Sequence, residues 1–197
     1  MPQKTRSRLS YMPKDKVLTL WNNEGVNEKD TSILRKKSVK VPVPLDIESR
    51  ESIQTLVDSF LGRDDASGLA APQIGINKRI FVFRNKGFGE GGKVKSPDDF
   101  EVLINPRITQ ARGEKVTMAE GCLSCPEIQV EISRFPEIKV RALNEKGEKI
   151  NKKYLDYVAR VIQHELDHLD GKLIVDYGGN LYYPQDKQDF FEKLFQG

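Results

Sequence analysis

The residues best equipped for chemistry lie in QHELDHLDG, residues 163–171. His164 and His168 are four apart, so on a helix their rings leave the same side within about 5–6 Å of each other and can grip one ion. Glu165, one step further round, can stand beside that ion without binding it and accept a proton from water. A catalytic zinc-type centre wants three protein ligands and an open position. Because these are the chain's two histidines, the third ligand must be a cysteine or a carboxylate.

Two routes are open. The zinc-endopeptidase route extends H-E-x-x-H through a glycine to a third histidine; Gly171 matches, but Ile174 stands where that histidine belongs. A downstream glutamate is the other protease option, and Glu192, in an amphipathic terminal segment, is the one such residue after Glu165. The second route uses Cys122, in AEGCLS (residues 119–124), where Gly121 lets a ligand approach the backbone closely. A thiolate with two imidazoles leaves a fourth position open and is the better candidate. Cys125 completes a C-x-x-C that has no second pair to make a structural zinc site, and it reads as structural.

The surrounding elements must bring these pieces together. Asp46 can cap a helix whose apolar positions Ile53, Leu56, Val57, Phe60 and Leu61 form one face, with Gly62 at its end. Strand patterns follow at 79–84, 101–108, 113–118, 127–135 and 137–144, and residues 86–99 read as a glycine-rich loop. A second helix is expected over 151–169, with Leu155, Val158, Ile162, Glu165 and Leu169 on one face. KLIVDY (172–177) reads as a strand, and residues 185–196 as a terminal amphipathic helix. The order predicts an α+β fold, mostly antiparallel strands around a central metal-binding helix.

Bulk properties narrow the class. The 197 residues, 38% apolar and 31% charged, suit a soluble globular chain, and no apolar run approaches a membrane span. No secretory signal is evident, so a cytoplasmic protein is expected. Net charge is +3, which gives no case for sequence-specific nucleic acid binding. The first 40 residues nonetheless carry ten Lys and Arg against four acids. Residues 1–30 are expected to be a basic extension, with the catalytic domain over 31–197.

GLAAPQIG (68–75), EGCLS (120–124) and QHELDHLDG together resemble the three motifs of the peptide deformylases, in that family's order. The resemblance implies hydrolysis of the formyl group from N-formylmethionine on nascent polypeptides, with one divalent ion, ferrous iron expected and zinc, nickel or cobalt as replacements. It implies Cys122, His164 and His168 as ligands and Glu165 as the proton carrier. Gln73 (side-chain amide) and Leu123 (backbone N–H) would donate to the oxyanion. Gly68, Gly121, Ser67 and Glu120 are expected on the substrate side, Glu120 also as a supporting partner of Arg134. Two departures stand out: Ala66 replaces a usual glycine, and Ser67 a usually apolar residue. The competing readings are an H-E-x-x-H endopeptidase and a non-catalytic binding module of the same fold. The basic arm and the terminal aromatics Phe190, Phe191 and Phe195, with Leu194, suggest a contact with the ribosome.

Overall fold

The structure is a computed structural model, and it describes residues 16–88, 94 and 96–195. The first fifteen residues of the basic arm and part of the glycine-rich loop fall outside them.

A short hairpin opens the described chain, β1 (Trp21–Asn22) with β2 (Gly25–Val26), and leads into α1 (Glu28–Leu34), which Asn27 caps. Helix α2 (Ile47–Leu61) starts at Asp46, whose carboxylate accepts the Ser49 N–H at 2.8 Å, and ends at Gly62 as expected. Five antiparallel strands form the larger sheet: β3 (Gly68–Ala70), β4 (Ile80–Arg84), β5 (Phe100–Arg112), then β8 (Glu137–Leu143) and β9 (Lys149–Leu155), adjacent in that order. Between β5 and β8 the chain leaves for a smaller sheet of β6 (Val116–Cys122) and β7 (Cys125–Arg134), joined on the far side of β7 by β10 (Leu181–Tyr182). Helix α3 (Asp156–Leu169) and the terminal α4 (Gln188–Phe195) complete the fold.

The expected α+β arrangement holds, and α3 is its centre. Ala159, Ile162, Leu166 and Leu169 of α3 pack with Phe81, Phe83, Ile138 and Val140 of the larger sheet. Helix α2 covers the other side of β4 and β5 through Ile53, Leu56 and Phe60. Gln163 fixes the height of α3: its amide accepts the Phe135 N–H and donates to the Phe135 carbonyl at 2.9 Å. At the far end Gly171 takes φ +74°, and the bonds Gly171 N–H to His168 O and Lys172 N–H to Asp167 O close the helix. A Cβ at Gly171 would stand 2.8 Å from the Arg35 carbonyl carbon, so the position requires glycine twice over.

Two expectations are corrected. The second helix begins at Asp156, because 149–155 pairs with β8 along its whole length, and Leu155 is exposed at the helix cap. KLIVDY is not a strand: Ile174–Asp176 form a 3-10 turn in which Asp176 accepts the Leu173 N–H. Around residue 30 the chain runs through α1, and Leu18, Leu20 and Trp21 before it are buried with Leu34, Cys125 and Phe191. The aromatics of α4 are largely absorbed by this cluster, Phe191 standing edge-on to Trp21 at 5.9 Å.

Candidate metal centre

The three motifs meet where the two sheets face each other. β3 is the edge strand of one sheet and β6 of the other, and α3 closes the floor between them. The cleft encloses about 930 Å³, and Gly68, Gln73, Cys122, Leu123, His164 and Glu165 line it. Ser67, Glu120 and Gly121 reach the same space.

Cys122 ends β6, and His164 and His168 project one turn apart from α3. The Cys122 sulfur is 3.3 Å from His168 Nε2, and the ligand atoms of all three residues lie within 4.8 Å of one another. Bonds of about 2.0–2.3 Å from sulfur and imidazole to one ion span such a spacing, and thiolate plus two imidazoles is a chemically sound donor set. Burial alone would raise the Cys122 thiol. The Cys125 hydrogen bond, the His168 charge and the hydrogen bonds to both histidines more than reverse this, so the thiol lies well below its usual value. Cys125, opposite Cys122 across the hairpin and fully buried, is shifted up by that same bond and by burial.

A charged network behind the ligands orients them. His164 Nδ1 meets Glu120 Oε2 at 3.1 Å, which turns its other nitrogen toward the cluster. Arg134 grips Glu120 with two parallel bonds of 2.8 Å and donates to Asp167 at 2.7 Å. Arg160 adds a third donor to Glu120 at 2.6 Å. Glu120 is thus occupied mainly in holding His164, although it borders the cleft. Against the cost of burial, the Arg134 and His164 bonds keep its carboxyl down at about 2.

Glu165 is 3% exposed, and its Oε2 has no hydrogen-bond partner. Burial is the main reason its carboxyl rises to about 7; the two histidines oppose the shift. Gly68 makes room for it, since a Cβ there would lie 2.8 Å from the Glu165 carboxyl carbon. Gln73 is nearly fully buried: its oxygen accepts the Ala70 N–H at 2.8 Å, and its nitrogen donates to Ser124 Oγ at 3.2 Å, leaving a second amide hydrogen. Leu123 and Ser124 form the turn between β6 and β7. At the rim, Ser67 Oγ is 3.4 Å from Tyr157 OH. Ala66 is accommodated by burial in the α2 core.

Several of these contacts have no local signature. Ser124, Tyr157 and the backbone bonds Leu18 N–H to Gln73 O (2.8 Å) and Leu20 N–H to Ser124 O (2.9 Å) were not anticipated. Arg160 had one available signal, its place four residues before His164 on the same stripe of α3. The endopeptidase alternative gains no third ligand: the Ile174 position is buried in the core with a side chain that cannot coordinate, and Glu192 accepts from Gln188 along α4.

Residues 24–181 match the family model described as polypeptide deformylase. The chain belongs to the polypeptide deformylase family. A peptide deformylase 1 of Clostridium acetobutylicum is 46% identical over 147 residues, covering 73% of this chain and 87% of that one. The peptide deformylase of Pseudothermotoga lettingae is 42% identical over 144 residues, 73% of this chain and 76% of its own. Among solved structures, the deformylase from Thermotoga maritima superposes with a TM-score of 0.65 at 35% identity, covering 82% and 95% of the two chains. This deformylase is a metal-dependent hydrolase that removes the formyl group from nascent polypeptides. Among the described residues no helix is long and apolar enough to cross a membrane.

Proposed function

We propose that Glu165 carries the proton in this hydrolysis and that Cys122, His164 and His168 hold one ferrous ion beside it. The observation that carries the reading is the buried, unpartnered Glu165 oxygen next to a compact thiol–imidazole cluster. When bound, the ion supplies Lewis-acid polarisation at neutral pH. Glu165 takes a proton from the attacking water and returns it to the departing amine, releasing formate and a peptide with a free terminal methionine. The spare Gln73 hydrogen and the Leu123 N–H meet the charge that develops on the formyl oxygen; such a donor is worth roughly 3–4 kcal/mol. The outer edges of β3 and β6, edge strands among the described residues, offer backbone groups to an extended formyl peptide at Ser67, Gly68 and Gly121. Gly68 and Glu165 crowd the floor, which favours a formyl group over bulkier acyl groups.

Formate release from a formyl-Met tripeptide, with protein purified without oxygen and its metal content measured, tests this. Glu165→Gln should lose at least about a hundredfold in kcat while its metal remains bound. Retained turnover in that variant would remove Glu165 from the role, and zinc or nickel in the anaerobic sample would remove iron. The cytoplasm, where nascent formylated chains arise, is the compartment that this substrate implies. A ribosome contact through α4 gains little support, since Phe191 is buried against Trp21. Unchanged ribosome co-sedimentation after deletion of residues 188–197 would end that idea.

A further inference from the structure

The outer face of the larger sheet, away from α3, carries an arrangement that folding alone does not favour. Strand pairing sets Arg107 directly opposite Arg141, and Lys139 directly opposite Lys153. Like charges facing each other across a pair of strands destabilise a sheet. Of these four, only Lys153 is ion-paired within 4.0 Å among the described residues, with Glu137 at 3.6 Å, although Arg107 also borders a neighbouring recess that Asp167 and Asp170 line. Arg107, Lys139 and Arg141 line one recess of about 500 Å³ together with Ile108, Thr109, Gln110 and Asn151, and no acid among the described residues lines it.

We infer that this face of β5, β8 and β9 binds the sugar–phosphate backbone of folded RNA. Guanidinium and ammonium groups neutralise phosphates, and such contacts dominate sequence-independent affinity. The hydroxyl and amides interleaved among them suit ribose 2′-hydroxyls, which the wide, shallow minor groove of A-form RNA displays. No aromatic side chain among the described residues lines the recess, so base stacking has no platform there and binding is blind to sequence. A lipid surface fits less well, because insertion needs large apolar side chains and Ile108 is the single one in the recess.

Fluorescence anisotropy of a labelled RNA hairpin, titrated with the full chain at about 50 and about 200 mM salt, tests the assignment. If about four phosphates are neutralised, affinity should fall about a hundredfold between the two. The triple variant Arg107→Gln, Lys139→Gln, Arg141→Gln should bind at least tenfold more weakly, with a shallower salt dependence. Its melting temperature should be no lower than that of the unsubstituted chain, because a repulsive pair has gone. Release of formate from a soluble formyl peptide should be unchanged, so failure here is distinguishable from failure of the active-site reading. A control triple, Lys29→Gln, Lys36→Gln, Lys40→Gln, should keep RNA affinity. No RNA binding, an equal loss in the control, equal affinity for duplex DNA, or tighter binding to anionic vesicles or an acidic polypeptide would each overturn the inference.

Discussion

Gly68 and Glu165 occupy one small volume, and the glycine is what lets the carboxylate reach the ligands. Gly68→Ala should leave the fold largely intact, because the carboxyl at the end of a flexible side chain can swing aside. It should nonetheless cost on the order of a hundredfold in kcat with metal content unchanged, as misplacing a reacting group by about 1 Å does. Glu120 is the other decisive residue. Glu120→Gln leaves Arg160 without its carboxylate and Arg134 with Asp167 alone, a loss of about 3 kcal/mol, and should weaken metal affinity roughly 10–100-fold through His164. Its carboxyl is held down at about 2 from an ordinary 4.5. Its contribution is therefore full above about pH 4.5 and disappears as pH falls toward 2. That contribution is on the order of 3 kcal/mol. Urea unfolding of the metal-free chain across that range should show a decline that Glu120→Gln makes shallower.

At the level of elements, legibility in the sequence followed how local each interaction is. Helix α2 announced itself because cap, apolar stripe and terminal glycine all lie within one segment. The meeting of Cys122, His164 and His168 was legible because residue type and spacing restrict what could bind a metal. Strand β9 was missed because KINKKYL spends its outward positions on lysines and hides only Tyr154 fully, and its structure comes from pairing with β8. The 3-10 turn at 174–176 was missed because a short apolar run cannot by itself distinguish a strand from a buried turn. The hairpin at Trp21 gave no periodic pattern, yet its contacts with α4 are extensive. Phe191→Ala should cost about 3–5 kcal/mol in equilibrium unfolding, the usual penalty for emptying such a site. A cost below about 1 kcal/mol would mean that α4 does not rest on Trp21.

Across the whole molecule, the three proposed ligands come from separate bodies: Cys122 belongs to the smaller sheet, and the histidines to a helix packed on the larger one. An ion held there ties the two halves together, so removal by a chelator should lower thermal stability as well as activity. At a thousandfold excess over its dissociation constant the ion is worth about 4 kcal/mol, or roughly 10 °C for a chain of this size. Calorimetry with and without chelator, followed by restoration with added ion, would show whether the drop reverses.

The segment before α1 makes two backbone bonds, one to the loop carrying Gln73 and one to the turn carrying Ser124. Those loops also touch each other, Gln73 Nε2 donating to Ser124 Oγ at 3.2 Å, so a stretch of main chain that takes no part in chemistry clamps them side by side. The bracing of the two proposed oxyanion donors is thus written upstream of every recognisable motif. Two deformylases with the same catalytic residues but different lead-ins before the first helix should differ in how firmly those two donors are held in register.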